Sequence, residues 1–217
     1  MSRKTVYLVP ILCLLLATVA WGAGEPVNIP KMAKAPAIDG DLADWAGMPG
    51  YYVSSEFLST GSPLDGDDDL SFWFMAGYDD ENLYVAYRVI DDVIVMERSG
   101  SSIWQTDCAE LWLGAQQLGI TLAYGQNPFV YSFMGGSAAG TKAAVKKVAG
   151  GYTIEVAIPK AVVEGLIGKK MTSGTSFQFS FGVDDADTPG GDRDSQIYYP
   201  SGWEWNVTGT YATATFE

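Results

Sequence analysis

Histidine is absent from all 217 residues of the chain, and cysteine and basic side chains are scarce. Without an imidazole there is no Ser-His-Asp or Cys-His nucleophile, and the commonest general base and the usual zinc sites are lost as well. Hydrolysis by paired carboxylates stays formally open, since it needs no histidine. The two cysteines are Cys13 and Cys108, and Cys13 lies in an N-terminal apolar run. Lysine and arginine number 13 against 26 acids, a formal net charge of −13. So acidic a surface repels phosphate backbones, and beyond Arg3-Lys4 the basic clusters are only the pairs Lys146-Lys147 and Lys169-Lys170, which argues against nucleic acid as a partner.

Long apolar runs are scarce too. One occupies residues 6–20, follows the basic Arg3 and Lys4, and leads to Ala20-Trp21-Gly22, with small residues at the −3 and −1 positions of a cut after Gly22. This is the pattern of a secretory signal peptide over residues 1–22, and the Pro10 interruption and short length argue against a membrane anchor. Cys13 follows Leu12 and not a small residue, which disfavours a lipid-anchor cut. The expected product is secreted or periplasmic, with no transmembrane span after signal removal. It comprises residues 23–217 as one domain. Losing Arg3 and Lys4 takes its charge from −13 to −15. With Cys108 as its one thiol it has no internal disulfide, so its core, with or without a metal, must hold it together.

What is present in quantity is short strand-like runs punctuated by Gly, Asp, Asn and Pro. Leu70-Ser-Phe-Trp-Phe-Met-Ala, Leu83-Tyr-Val-Ala-Tyr-Arg-Val-Ile, Ala109-Glu-Leu-Trp-Leu and Phe129-Val-Tyr-Ser-Phe are of strand length and rich in aromatic or β-branched residues. Tyr152-Thr-Ile-Glu-Val-Ala-Ile, Phe177-Gln-Phe-Ser-Phe-Gly-Val and Tyr211-Ala-Thr-Ala-Thr-Phe continue the series. Asp79-Asp-Glu-Asn and Gly150-Gly151 are hairpin signals. Only residues 159–168, opened by proline and closed by glycine, predict a helix. The fold class is therefore all-β, an antiparallel β-sandwich (jelly-roll or immunoglobulin-like) with one short helix. Alternation places Leu111 and Leu113 on a core face and Glu110 on the outer one.

Trp73 and Trp112 fall within strand patterns and are expected to pack, and Trp45 to plug an end of the sandwich. Trp104, Trp203 and Trp205 fall outside clear strands, where an apolar side chain needs another reason to be retained. Two acidic loops, with Asp65, Asp67 and Asp69 in one and Asp184, Asp185 and Asp187 in the other, carry the oxygen ligands that a structural calcium takes, although neither matches an EF-hand. Cys108 reads as a buried, inert thiol.

Five segments in order resemble carbohydrate-binding module family 9, in the wider DOMON-like β-sandwich group. They are Ile38-Asp39-Gly40 with Trp45; the hairpin from Tyr78 to Asp92; Trp104-Gln-Thr-Asp107-Cys-Ala-Glu110-Leu-Trp-Leu; Gly150-Gly-Tyr-Thr-Ile-Glu155-Val-Ala-Ile-Pro159; and Phe179-Ser-Phe-Gly-Val-Asp184-Asp185-Ala-Asp. The resemblance implies a non-catalytic module that holds a sugar of a polysaccharide or oligosaccharide between two tryptophans, Trp104 and either Trp203 or Trp205. Glu110 and Asp107 would accept sugar hydroxyls, with Asn206 as a further amide. Each aromatic contact would contribute about 0.5–1.5 kcal/mol and each charge-assisted hydrogen bond about 1.5–3 kcal/mol. Where the family places an arginine and an asparagine on a strand, residues 129–133 offer Val130 and Ser132.

Three rivals stand beside this reading. A glycoside hydrolase would pair Asp107 or Glu110 with Glu204. A haem-binding relative would have to draw its ligands from Met75, Met96, Met134 and Lys160. An envelope structural or adhesion module would have a protein partner.

Overall fold

The computed structural model describes residues 25–217; the segment expected to be a signal peptide, residues 1–22, lies outside them. Thirteen strands follow in chain order. The first five are β1 (Val27–Ile29), β2 (Gly50–Val53), β3 (Leu58–Gly61), β4 (Leu70–Tyr78) and β5 (Asn82–Asp91). A 3₁₀ turn, Gly100–Gln105, precedes β6 (Cys108–Leu113), β7 (Gln116–Ala123), β8 (Asn127–Ser132), β9 (Lys142–Val148) and β10 (Gly151–Pro159). The helix α1 (Lys160–Ile167) leads to β11 (Ser176–Asp185), β12 (Ser195–Tyr199) and β13 (Ala212–Phe216).

The strands form two sheets. One runs β1-β13-β11-β6-β7-β8, with β12 beside β11 and β3 beside β12; the other runs β2-β4-β5-β10-β9. The all-β sandwich with one short helix is thus what is found. Pairing between the strands is antiparallel except for β1, which lies parallel to β13. Each local choice has a chemical cause. The Asp79 carboxylate accepts from the backbone N–H of Glu81 and Asn82, both at 2.8 Å, and closes the β4–β5 hairpin. Helix α1 ends at Gly168, whose φ of 65° is the left-handed C-cap that glycine adopts without steric cost.

Aromatic side chains from the two sheets fill the interior. Phe74 stacks on Phe181 at 3.8 Å, and Phe181 on Tyr199 at 4.9 Å. Tyr152, Ile154, Val156 and Ile158 of β10 join this core, as their alternation predicts.

The opposite face of β10 is not solvated. Residues 31–48 cross it and bury Glu155, whose carboxylate accepts from Trp45 Nε1 (2.8 Å), Gly40 N (2.6 Å) and Asp39 N (3.0 Å). Trp45 therefore seals the outer face of the five-stranded sheet, with Tyr84, Ala86 and Ala157, and does not plug an end of the sandwich. Trp73 is half-buried against Tyr52, and Trp112 is fully buried.

Candidate functional site

The outer face of the eight-stranded sheet takes a different course. Parity along β6 sends Glu110 and Trp112 outward, while Ala109, Leu111 and Leu113 enter the core. Gln117 of β7 and Gln196 and Tyr198 of β12 stand on the same face as Glu110. Gly182 lies between β6 and β12 in the register, and a Cβ there would lie 2.4 Å from the Tyr198 ring. Only glycine lets the tyrosine lie across β11 to reach Glu110.

Loops raise walls around this floor and leave a cleft of about 690 Å³. Trp104, on the 3₁₀ turn, stands on one side, and the segment carrying Trp203, Glu204 and Trp205 contributes another part of the lining. A continuous polar chain joins floor to wall. Trp112 Nε1 donates to Tyr198 Oη (3.0 Å), which donates to Glu110 Oε2 (2.5 Å). The Gln196 amide bridges Glu110 Oε2 (3.1 Å) and Asp184 Oδ1 (2.6 Å), and Arg193 donates to the same Asp184 oxygen (2.8 Å). The guanidinium carbon of Arg193 lies 5.3 Å from the Trp104 ring centroid, a cation–π contact. Burial raises the Glu110 carboxyl above its ordinary range against the pull of the Tyr198 hydrogen bond. Burial and then the charge of Glu110 hold Asp184 well above its range, and Arg193 offsets part of this.

Four of the six candidate ligand residues line this cleft: Trp104, Glu110, Trp203 and Trp205. The two alternatives in the distal loop differ sharply. Trp205 is 62% exposed, whereas Trp203 is 7% exposed and stacks on Tyr198 at 3.7 Å and 6° between planes. Trp203 is therefore packed within a cluster with Trp112, Tyr198 and Tyr211, and is not an open platform. Asn206 does not line the cleft; it takes up the left-handed turn after Trp205, with φ 58°. Asp107 is also absent from it. Asp107 stands three positions before Glu110, an odd offset, so extended backbone running into β6 turns the two carboxylates to opposite faces, and Asp107 accepts from Val95 N (2.5 Å) and Ala186 N (2.9 Å) instead. Parity likewise corrects the reading of β8: Val130 packs on the core and the Ser132 hydroxyl is buried, so Phe133, which lines the cleft, replaces them there.

The aspartates expected to hold calcium regroup. Asp67 is engaged by Tyr52 and Ser55, and Asp69 accepts from the backbone N–H of the exposed Asp65. Asp184 belongs to the cleft network. Asp185 instead meets Asp91 and Asp107 in a buried triad at one end of the sandwich, and Asp69 and Asp187 meet Asp92 in a second, outer group. Burial, with Asp91 as neighbour, pushes Asp107 up to about 10 and Asp185 to about 8; burial pushes Asp91 itself to about 7. Among the described residues, Asp91 Oδ2, Asp185 Oδ1 and the nearby Tyr152 hydroxyl are buried without hydrogen-bond partners. Oxygen atoms so crowded and unsatisfied fit a hard divalent cation.

Cys108 is fully buried and free, and burial pushes its thiol well up, so it is inert. The methionines proposed for haem lie apart: Met96 is in the main core, Met75 in the Trp45 cluster and Met134 beside Trp203. They form no common site. Sequence reasoning missed Arg193, Gln196 and Tyr198; the alternation of Gln196 and Tyr198 against Ile197 and Tyr199 could have disclosed the last two, and nothing in the loop singles out Arg193.

Residues 38–216 match the family model described as carbohydrate family 9 binding domain-like. No curated protein matches the chain. Among solved structures, a family 9 carbohydrate-binding module from Caldicellulosiruptor kristjanssonii in complex with cellotriose is 19% identical, with a TM-score of 0.64 over 89% of this chain and 94% of that one. A family 9 module from the same organism in complex with glucose gives the same identity and score, over 89% of this chain and 96% of that one.

Proposed function

The chain belongs to the carbohydrate family 9 binding domain-like family, a family of non-catalytic binding modules, and from that premise we propose that it is an exported module that stacks a sugar on tryptophan in the cleft. The observation that carries the proposal is a buried carboxylate, Glu110, on the floor of an open cleft whose lining includes the solvent-exposed indoles Trp104 and Trp205. A pyranose offers C–H patches to an indole face and hydroxyls to a carboxylate, so this lining is complementary to it. Arg193 and Asp184 act as positioning residues: the ion pair holds the guanidinium near Trp104, fixing the ring before ligand arrives. Export rests on the pattern of residues 1–22, and among the described residues no helix is long and apolar enough to cross a membrane. Mass spectrometry of the product from an exporting host should find an N-terminus at Ala23.

The relatives' ligands make gluco-oligosaccharides the first sugars to assay by calorimetry. Trp104→Ala should weaken binding by roughly tenfold or more, the loss of one good aromatic contact, with the melting curve nearly unchanged. A collapsed melt would make Trp104 structural, and unaltered affinity would remove it from the site.

A structural calcium is part of the same proposal. Asp91, Asp107 and Asp185 would hold it, with Asp69, Asp92 and Asp187 outside them. The ion would supply the positive charge that lets these carboxylates stay ionised while tying together the ends of β5 and β11 and the segment before β6. Calcium at a hundredfold excess over its Kd should add about 2.7 kcal/mol of stability relative to chelator. An identical melt in calcium and in EDTA would end this part of the proposal.

A further inference from the structure

The cleft does not end at its wall. Phe133 lines it, and beyond Phe133 strand β8 carries Tyr131 and Phe129 at two-residue spacing, all three on the outer face of the sheet. The rings form one row: Tyr131 meets Phe133 edge to face at 5.2 Å, and Phe129 stacks beside Tyr131 at 6.4 Å and 21°. None of the three is buried, and they contribute no charge. The row runs from the cleft towards the β7–β8 turn, where Tyr124 adds another ring, 66% exposed.

The sheet makes room for this arrangement. Gly119 of β7 pairs with Tyr131, and a Cβ on it would come within 2.7 Å of the Phe133 ring and 2.8 Å of Ile103. The missing side chain lets Phe133 lie down towards Ile103, next in sequence to Trp104, and this brings the row up to the cleft. Strand β8 is the last in the sheet's order, so no further strand of that sheet covers the row on that side. Ring spacing along a strand is about 6.6–6.8 Å per pair of residues, so the row spans about 13 Å, longer than one pyranose unit.

We propose that Phe133, Tyr131 and Phe129 form an accessory stacking platform for successive units of the same oligosaccharide whose terminal unit occupies the cleft. This rests on the sugar-binding reading of the cleft and extends it: the preferred ligand is a chain of several units, bound along its length as well as at its end. The occupant is assigned by continuity, since the row begins at a cleft-lining residue, Phe133, and offers what Trp104 and Trp205 offer in the cleft, aromatic faces. Every base of discrimination is then stacking along the chain, with few hydrogen bonds to hydroxyls, so the platform tolerates substitution in the distal units better than the cleft tolerates it in the terminal one.

Calorimetry of the full domain with glucose, cellobiose, cellotriose and cellohexaose tests this. Affinity should climb with chain length, roughly tenfold or more from the monosaccharide to the longest ligand. The double variant Phe129→Ala, Tyr131→Ala should lose that climb while binding glucose as the parent does. Ring resonances of Tyr131 should shift on adding cellohexaose to the unaltered protein and stay fixed on adding glucose, a readout that needs no variant to fold. Glucose bound with no gain from added units would overturn the platform and leave the cleft reading standing. Failure of every sugar, glucose included, would overturn both.

Discussion

Each sheet carries a buried glutamate on the outer face of an interior strand, and the two have opposite fates. Glu155 on β10 is closed over by residues 31–48 and accepts three hydrogen bonds from donors of its own chain. Glu110 on β6 is held from the side by Tyr198 and Gln196, but the space above it is left open as a cleft. The same side chain on the outer face of an interior strand thus gives a lock on one sheet and the floor of an open cleft on the other. What decides is the cover: a fixed indole N–H and two backbone amides in one case, and in the other open space lined by aromatic and polar side chains.

Removing the lock should have the largest effect. Glu155→Ala leaves the Trp45 indole and two backbone amides without an acceptor, and should destabilise the domain by about 3–5 kcal/mol in chemical denaturation. The same substitution at Glu110 should cost less stability, and its main effect should be on sugar affinity. Equal losses of stability at the two sites would erase the distinction. Next in size is Trp203→Ala, which removes a packed indole and should cost about 3 kcal/mol or more, whereas the exposed Trp205→Ala should stay within about 0.5 kcal/mol in stability and act on binding alone. Thermal melts of the pair, beside calorimetry, would show whether one loop holds both a structural and a ligand-facing tryptophan.

The pH response separates a third region, the acidic end of the sandwich. In chelator, Asp91, Asp107 and Asp185 bind protons in the folded state at pH values where they have lost them in the unfolded chain. Stability is then fully present below about pH 4 and falls as pH rises through about 7 and 8, the sign set by folded pKa values above the unfolded ones. Melting temperatures in EDTA across this interval should therefore decline. A flat profile would mean that the three carboxylates are not crowded together. The smallest effect should come at the cleft: Glu110, with its raised pKa, should lose acceptor strength as pH falls through its folded value, so sugar affinity should weaken on acidification.

Alternation made most of the fold legible. The runs at residues 70–76, 83–90, 109–113 and 152–158 all fall within strands, and the Pro–Gly bracket located the helix. The strands β1, β2, β3, β7 and β12 were missed: the first three are three or four residues long, and β7, Gln-Gln-Leu-Gly-Ile-Thr-Leu-Ala, mixes glutamine and glycine into its pattern. Missing β12 cost the site Gln196 and Tyr198. Loops carry no period, so nothing in Trp203-Glu-Trp205 could say which indole packs and which is open. Along extended backbone the parity is available and decisive: Asp107, just ahead of β6, and Glu110 within it cannot share a face, nor can Asp184 and Asp185 of β11.

Strand order also determines how this domain can be attached to anything else. Strands β1 and β13 are parallel, hydrogen-bonded neighbours, with Val27 opposite Ala214 and Ile29 opposite Phe216, and they sit at the end of the sheet opposite β8. A tether, reporter or neighbouring domain joined ahead of β1 or after β13 is therefore anchored five or four strands, respectively, away from the aromatic row. Immobilising the domain through either terminus should leave a glycan fibre free to approach along the other margin.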